Sequence, residues 1–146
     1  MSVLLTGGLG YIGSHTAVAL AGEGYDVVIV DNLSNSEKKT LKAVEEIVGK
    51  KIKFYEIDVR NEKKLKKVFK ANAIDTVIHF AGFKAVGEST QKPLMYYENN
   101  LDSTFSLLNT MKEFNVKNLV FSSSATVYGK AEKLPITEDS PIGATN

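Results

Sequence analysis

Gly7-Gly8-Leu9-Gly10-Tyr11-Ile12-Gly13 carries two overlapping glycine spacings, Gly8-x-Gly10-x-x-Gly13 and Gly7-x-x-Gly10-x-x-Gly13. Either spacing lets a strand turn sharply into a helix, lets backbone approach a diphosphate, and packs the helix closely on the strand. The helix start then offers unpaired N–H groups and partial positive charge to the phosphates. The apolar run before the glycines and the helical pattern after them supply the context this chemistry needs. Asp31 closes a second apolar run, at the distance from Gly13 where a carboxylate can grip both hydroxyls of a ribose. Asn32-Leu33-Ser34-Asn35 follows and holds no Lys or Arg for a 2′-phosphate, so NAD is favoured over NADP. Asp58 closes a third run, and by itself it reads equally well as a turn or capping aspartate. Ser122-Ser123-Ser124 closes the last run, at the strand end where parallel sheets bind ligands. Asn99-Asn100 sits in a helical pattern despite poor helix propensity, which marks a site or a bend.

Other chemistry is excluded. The sequence has no cysteine, so thiolate nucleophiles, disulfides and cysteine metal sites are out. His15 and His79 lie far apart, without zinc-ligand spacing, and read as helix-face and core side chains; no metal is expected. Lys+Arg of 18 against Asp+Glu of 17 argues against nucleic acid or an anionic membrane as partner. Lys63, Lys64, Lys66 and Lys67 flank Leu65 and Val68 as the wet face of a helix. No apolar run reaches membrane-spanning length, and the start lacks the basic flank of a signal peptide. A soluble, cytoplasmic protein is expected.

The elements that must position these residues follow from periodicity. Runs at 3–6, 27–30, 52–57, 76–80 and 119–122 are short, apolar and β-branched, as buried strands are. Helical patterns lie between them. Ile12 to Glu23 leaves the glycine loop. Glu37 to Val48 places Leu41, Val44, Ile47 and Val48 on one face, with Ser36 as N-cap. Asn61 caps Glu62 to Lys70, which buries Leu65, Val68 and Phe69. Pro93 opens a long helix whose Leu94, Tyr97, Leu101, Phe105, Leu108 and Met111 form an apolar stripe. The alternation predicts an α/β fold: a doubly wound parallel Rossmann sheet, order 3-2-1-4-5. At 146 residues one domain spans 1–146, with 130–146 mainly loop.

Several stretches together resemble the UDP-glucose 4-epimerase family of extended short-chain dehydrogenases/reductases. They are Thr6 to Thr16, Asp31-Asn32-Leu33, His79 to Ser89 and Phe121 to Gly129. The resemblance covers essentially the whole chain, and His79 to Ser89 is its most specific part. It implies that Tyr11 and Ile12 lie against the diphosphate of NAD. Asp31, Asn32, Leu33, Asn35 and Ser36 surround the adenosine ribose, and Asp58 and Val59 flank the adenine. Phe80, Ala81, Gly82, Lys84, Asn99 and Ser122 line the rest of the cofactor. It also implies that Ser124 is catalytic and bonds the 4-hydroxyl of a UDP-sugar, with Ala125 and Thr126 beside the sugar. The family's base is the tyrosine of a Tyr-x-x-x-Lys pair, which removes the 4-hydroxyl proton while the same carbon is oxidised to a ketone.

The tyrosines here stand at 11, 25, 55, 96, 97 and 128, and none has lysine four residues on. The chain is therefore read as the N-terminal portion of such an enzyme, lacking the C-terminal strands and substrate domain. Alone it is expected to be inactive, and to associate through the 94–114 helix that joins a homodimer in the family. The alternatives are an NAD-sensing module without catalysis, or another nucleotide-sugar epimerase or dehydratase.

Overall fold

Alternation within each strand splits the apolar residues between two layers, and this decides where the helices pack. The computed structural model describes residues 1–131 and 133–143. Five strands, β1 (Ser2–Thr6), β2 (Asp26–Asp31), β3 (Lys53–Glu56), β4 (Ile74–His79) and β5 (Asn118–Phe121), form one sheet in the order β3-β2-β1-β4-β5. All four pairings are parallel. This is the order expected from the sequence.

Val3 and Leu5 of β1, with Val27 and Ile29 of β2, face one layer. There they meet Ala17 and Ala21 of α1 (Tyr11–Gly22) and Val44 of α2 (Lys38–Val48). Leu4, Val28, Val30 and Val77 face the other layer. There they meet Leu65, Val68 and Phe69 of α3 (Glu62–Ala71), and Leu107 and Met111 of α5 (Pro93–Glu113). Helices cover both faces of β1 and β2, which is why those runs are continuously apolar; the edge strand β5, expected to be buried, leaves Val120 and Phe121 exposed because no helix among the described residues lies over its outer part.

Two local expectations need correction, and one helix carries no sequence signal. Ser36 does not cap α2: Glu37 holds the N-cap position without a side-chain bond, and the Ser36 hydroxyl donates to Asp31 instead. Ile47 is 70% exposed, because only Val44 of that face lies close enough to the sheet to be buried. A short helix, α4 (Val86–Gln91), occupies a stretch with too few apolar residues to signal one. Asn61 does cap α3, its side chain accepting from Lys64 N at 3.0 Å, and Pro93 opens α5. Tyr128 pairs with Gly143 in an isolated parallel bridge of the backbone.

Candidate nucleotide and sugar clefts

The elbow between β1 and α1 is built on close approach. Gly7 has φ +66°, and a Cβ there would lie 2.8 Å from Ala81 N. A Cβ on Gly13 would lie 2.4 Å from Gly7 O, so the helix rests directly on the turn. The first intrahelical bond runs from Ser14 N to Gly10 O, 2.9 Å. The amides of Tyr11, Ile12 and Gly13 therefore have no carbonyl one turn back to pair with, and face outward as a helix N-terminus does.

Beside the elbow lies a cleft of about 510 Å³, within the usual range for a ligand site. Gly7 and Gly10 line it at the tip of β1, and Asp31 at the tip of β2. The buried Asp31 carboxylate is held from three sides: Oδ2 accepts from Leu9 N at 3.0 Å, and Oδ1 from Leu33 N at 2.9 Å and Ser36 Oγ at 2.8 Å. Leu33 reaches its position with φ +59° and packs on the core, so its side chain is outside the cleft wall. Asn32, Asn35, Ser36, Asp58 and Val59 complete that end. Hydrogen bonds from Arg60 hold the Asp58 carboxyl down to about 2, against the cost of partial burial.

Toward β4 the wall is Phe80, Ala81, Gly82 and Lys84, faced by Asn99 of α5. Asn100 explains the local helix penalty. Its Oδ1 accepts from Phe83 N at 2.8 Å, and its Nδ2 donates to Phe83 O at 3.1 Å, clasping the loop. Asn99 donates to the same Oδ1 at 3.0 Å. Beneath the loop His79 is buried, with Nδ1 2.6 Å from Thr6 Oγ1; burial, with Lys84 nearby, pulls its pKa to about 4.

A second cleft, about 450 Å³, shares Phe83, Lys84, Ala85 and Tyr96 with the first and is lined by Ser122, Ser123, Ser124 and Thr126. Ser124 Oγ lies 2.7 Å from Thr126 Oγ1 and accepts from Thr126 N at 3.3 Å. Lys84 Nζ donates to Ser122 O at 3.3 Å, tying the two clefts together. Ala125 opens a short 3-10 turn; its side chain lies outside the described residues.

Tyr11, Ile12 and Gly13 are not among the residues lining the cleft: Tyr11 is 83% exposed and Ile12 59%, and Gly13 is buried against the elbow. The sequence reading missed Ser34, Ile57, Phe83, Ala85, Glu88, Met95, Tyr96 and Ser103. The spacing of Met95, Asn99 and Ser103 along α5 is a helical signal that could have found that wall. Tyr96 donates to Glu88 Oε2 at 2.9 Å. Burial, and then that bond, raise its pKa, the wrong direction for a phenolate base. Among the described residues no His/Cys/Asp/Glu cluster suits a metal, and no helix is long and apolar enough to cross a membrane.

A family profile described as GDP-mannose 4,6 dehydratase matches residues 4–146. The chain belongs to this family. Its similar members include UDP-glucose 4-epimerases along its full length. It is 57% identical over 146 residues to that of Bacillus subtilis (strain 168), spanning 100% of this chain and 43% of the relative. The Dictyostelium discoideum epimerase is 57% identical over 144 residues, spanning 99% and 42%. A crystal structure of UDP-glucose 4-epimerase from Bifidobacterium longum in complex with NAD⁺ and UDP superposes with TM-score 0.95 at 56% identity, covering 98% of this chain and 43% of that one. The Stenotrophomonas maltophila enzyme, with bound NAD and formylated UDP-arabinopyranose, gives 0.96 at 42% identity, covering 100% and 44%. The chain thus spans less than half the length of the relatives it matches.

Proposed function

We propose that this chain holds NAD and one side of a UDP-sugar in a UDP-glucose 4-epimerase, which interconverts UDP-galactose and UDP-glucose. The observation that supports the reading is the continuity of the two clefts through Lys84, which joins the groove at the glycine elbow to a pocket lined by Ser122, Ser123, Ser124 and Thr126. NAD fits the residues present. The elbow is a cradle that Cβ atoms on Gly7 and Gly13 would fill. Lys84 is the one cation lining the groove among the described residues, and it stands at the β4 end, away from Asp31; a 2′-phosphate would meet carboxylate there. Gly7, Gly10 and the first-turn amides would hold the diphosphate, Asp31 the ribose, and Asp58 and Val59 the base. When bound, NAD supplies reversible two-electron oxidation and reduction at C4 of the sugar.

The chain's own part is positioning and electrostatics. Thr126 N–H donates to Ser124 Oγ, and when the Thr126 hydroxyl donates to it as well, the Ser124 proton is free to point at the sugar 4-oxygen. Lys84 places positive charge where the two clefts meet. Tyr96 donates its proton to Glu88 and has a raised pKa, both unfavourable for a base, and these 146 residues contain no Tyr-x-x-x-Lys pair. By themselves they are proposed to bind without turnover. Product analysis with a panel of UDP-sugars tests both statements. Interconversion by the purified 146-residue chain would overturn the second. A keto-deoxy product from a longer chain carrying Tyr-x-x-x-Lys would overturn the first in favour of a dehydratase.

A homodimer and a cytoplasmic setting belong to the same reading. Leu94, Tyr97, Leu101, Phe105 and Leu108 of α5 are 43–73% exposed along one stripe, and contiguous exposed apolar side chains of this kind mark interaction surfaces. Sedimentation of wild type against Phe105→Lys checks the dimer: loss of a dimer in the variant is expected, and a monodisperse wild-type monomer refutes it. The cysteine-free sequence suits a reducing compartment.

A further inference from the structure

We propose that Arg60 is a positioning residue for base recognition: it fixes the Asp58 carboxylate in the cleft wall as the acceptor that selects a nucleobase carrying an exocyclic amino group. The inference rests on the dinucleotide reading above and deepens it. With the diphosphate at the tip of β1, the order β3-β2-β1 carries the nucleoside over β2, where Asp31 waits, and its base over Ile57, Asp58 and Val59 beyond β3.

Asp58 is unusually well fixed for a side chain at a cleft edge. Oδ1 accepts from Arg60 N at 2.9 Å and Arg60 Nε at 3.0 Å. Oδ2 accepts from Arg60 Nη2 at 2.7 Å and Asn32 Nδ2 at 3.2 Å. A carboxylate offers about four lone-pair positions, so Arg60 fills three of them. The planar fork sets both the plane of the carboxylate and its charge, which one lysine ammonium could not do. The remaining position is held by the longest bond, from an exposed asparagine, and it is the one a base amine can take over. Arg60 itself is absent from the cleft wall and acts through Asp58.

Stability does not by itself call for the fork. Asp58 is half-buried and Arg60 exposed, so solvent screens much of what the pair adds to folding at neutral pH. The loop is pinned without the guanidinium: Ile57 N donates to Asp31 O at 3.1 Å, Asn61 N to Asp58 O at 2.9 Å, and Ser106 Oγ to Val59 O at 2.8 Å. Removing the fork should therefore free the carboxylate without unfolding the loop.

The test compares binding of NAD and nicotinamide hypoxanthine dinucleotide, in which oxygen replaces the 6-amino group, by wild type, Arg60→Gln and Arg60→Lys cleared of copurified nucleotide. Wild type is expected to favour NAD about 10- to 100-fold, the worth of one hydrogen bond to a charged acceptor. Arg60→Gln should narrow that ratio to about threefold, through weaker NAD binding and with little change in melting temperature. Arg60→Lys keeps the charge and loses the fork; it should lie between the two, and it decides the matter if Arg60→Gln does not fold. A ratio that survives in the folded variants, or a wild type indifferent to the two bases, overturns the inference while NAD binding stands. A wild type that binds neither dinucleotide overturns the dinucleotide reading and the inference with it.

Discussion

Gly13 sits inside α1, where Gly→Ala ordinarily stabilises a helix by about 1 kcal/mol. Its surroundings reverse that sign. A Cβ at Gly13 would stand 2.4 Å from Gly7 O and 2.8 Å from Gly8 Cα, both backbone atoms of the elbow, so no side chain can swing away. Overpacking a tight site costs about 1–3 kcal/mol, and contact with fixed backbone belongs at the upper end. Subtracting the helix gain leaves a net loss of about 2 kcal/mol, a fall in melting temperature of about 4–8 °C for a chain of this size. Gly22, in the same helix, has open space where its Cβ would go, so Gly22→Ala should be neutral or slightly stabilising. Thermal melts of the two variants, read with NAD affinity, make the test. Gly13→Ala should also weaken NAD binding at least about tenfold, because the amides proposed to meet the diphosphate shift with the helix. A Gly13→Ala melting temperature equal to or above that of Gly22→Ala, with NAD affinity intact, would refute the reasoning.

Three further outcomes are expected. Asp31→Asn points an amide at one of three donors, from Leu9, Leu33 and Ser36, and should cost about 1–3 kcal/mol in chemical denaturation along with NAD affinity; unchanged stability would contradict the three-sided hold. His79 has a folded pKa of about 4 against an ordinary 6.5, so the unfolded chain binds more protons between those values. Its contribution is therefore complete above pH 6.5 and lost as pH falls toward 4, on the order of 3 kcal/mol, and His79→Asn should flatten the slope measured by urea titration across that window. Asp58, held at about 2 from 3.8, contributes stability above pH 4 that is lost as pH falls toward 2; Asp58→Asn should be less acid-sensitive there in melts from pH 4 to 2.

Periodicity and spacing were sufficient for the strands, the glycine elbow and the place of Asp31 at a strand tip, because those depend on local sequence: which residues alternate, where the chain must turn. The strand order followed instead from the rule that repeated right-handed βαβ units wind outward in both directions from the first strand. Strand ends came within two residues of their observed bounds, and Asn61 and Pro93 took the helix positions their chemistry favours. The ambiguity of Asp58 was real at that level, since a turn aspartate and a cleft aspartate look alike until the fold places it beside Asn32 and Arg60.

What tertiary structure alone decided are the pairings across long separations. Ser36 looked like a helix cap and instead serves Asp31, since a hydroxyl goes to the stronger, charged acceptor once β2 and the loop are in place. Asn100 looked like a weak helix residue and instead clasps Phe83, a partner distant in sequence. Ile47 fits the helical stripe yet stays wet, because burial depends on how far the sheet extends under α2. Glu88 and Tyr96 carry no local mark of the cleft they line. Local order is encoded by neighbours in the chain, whereas side-chain partners are chosen by whichever group the packed sheet and helices bring within about 3 Å.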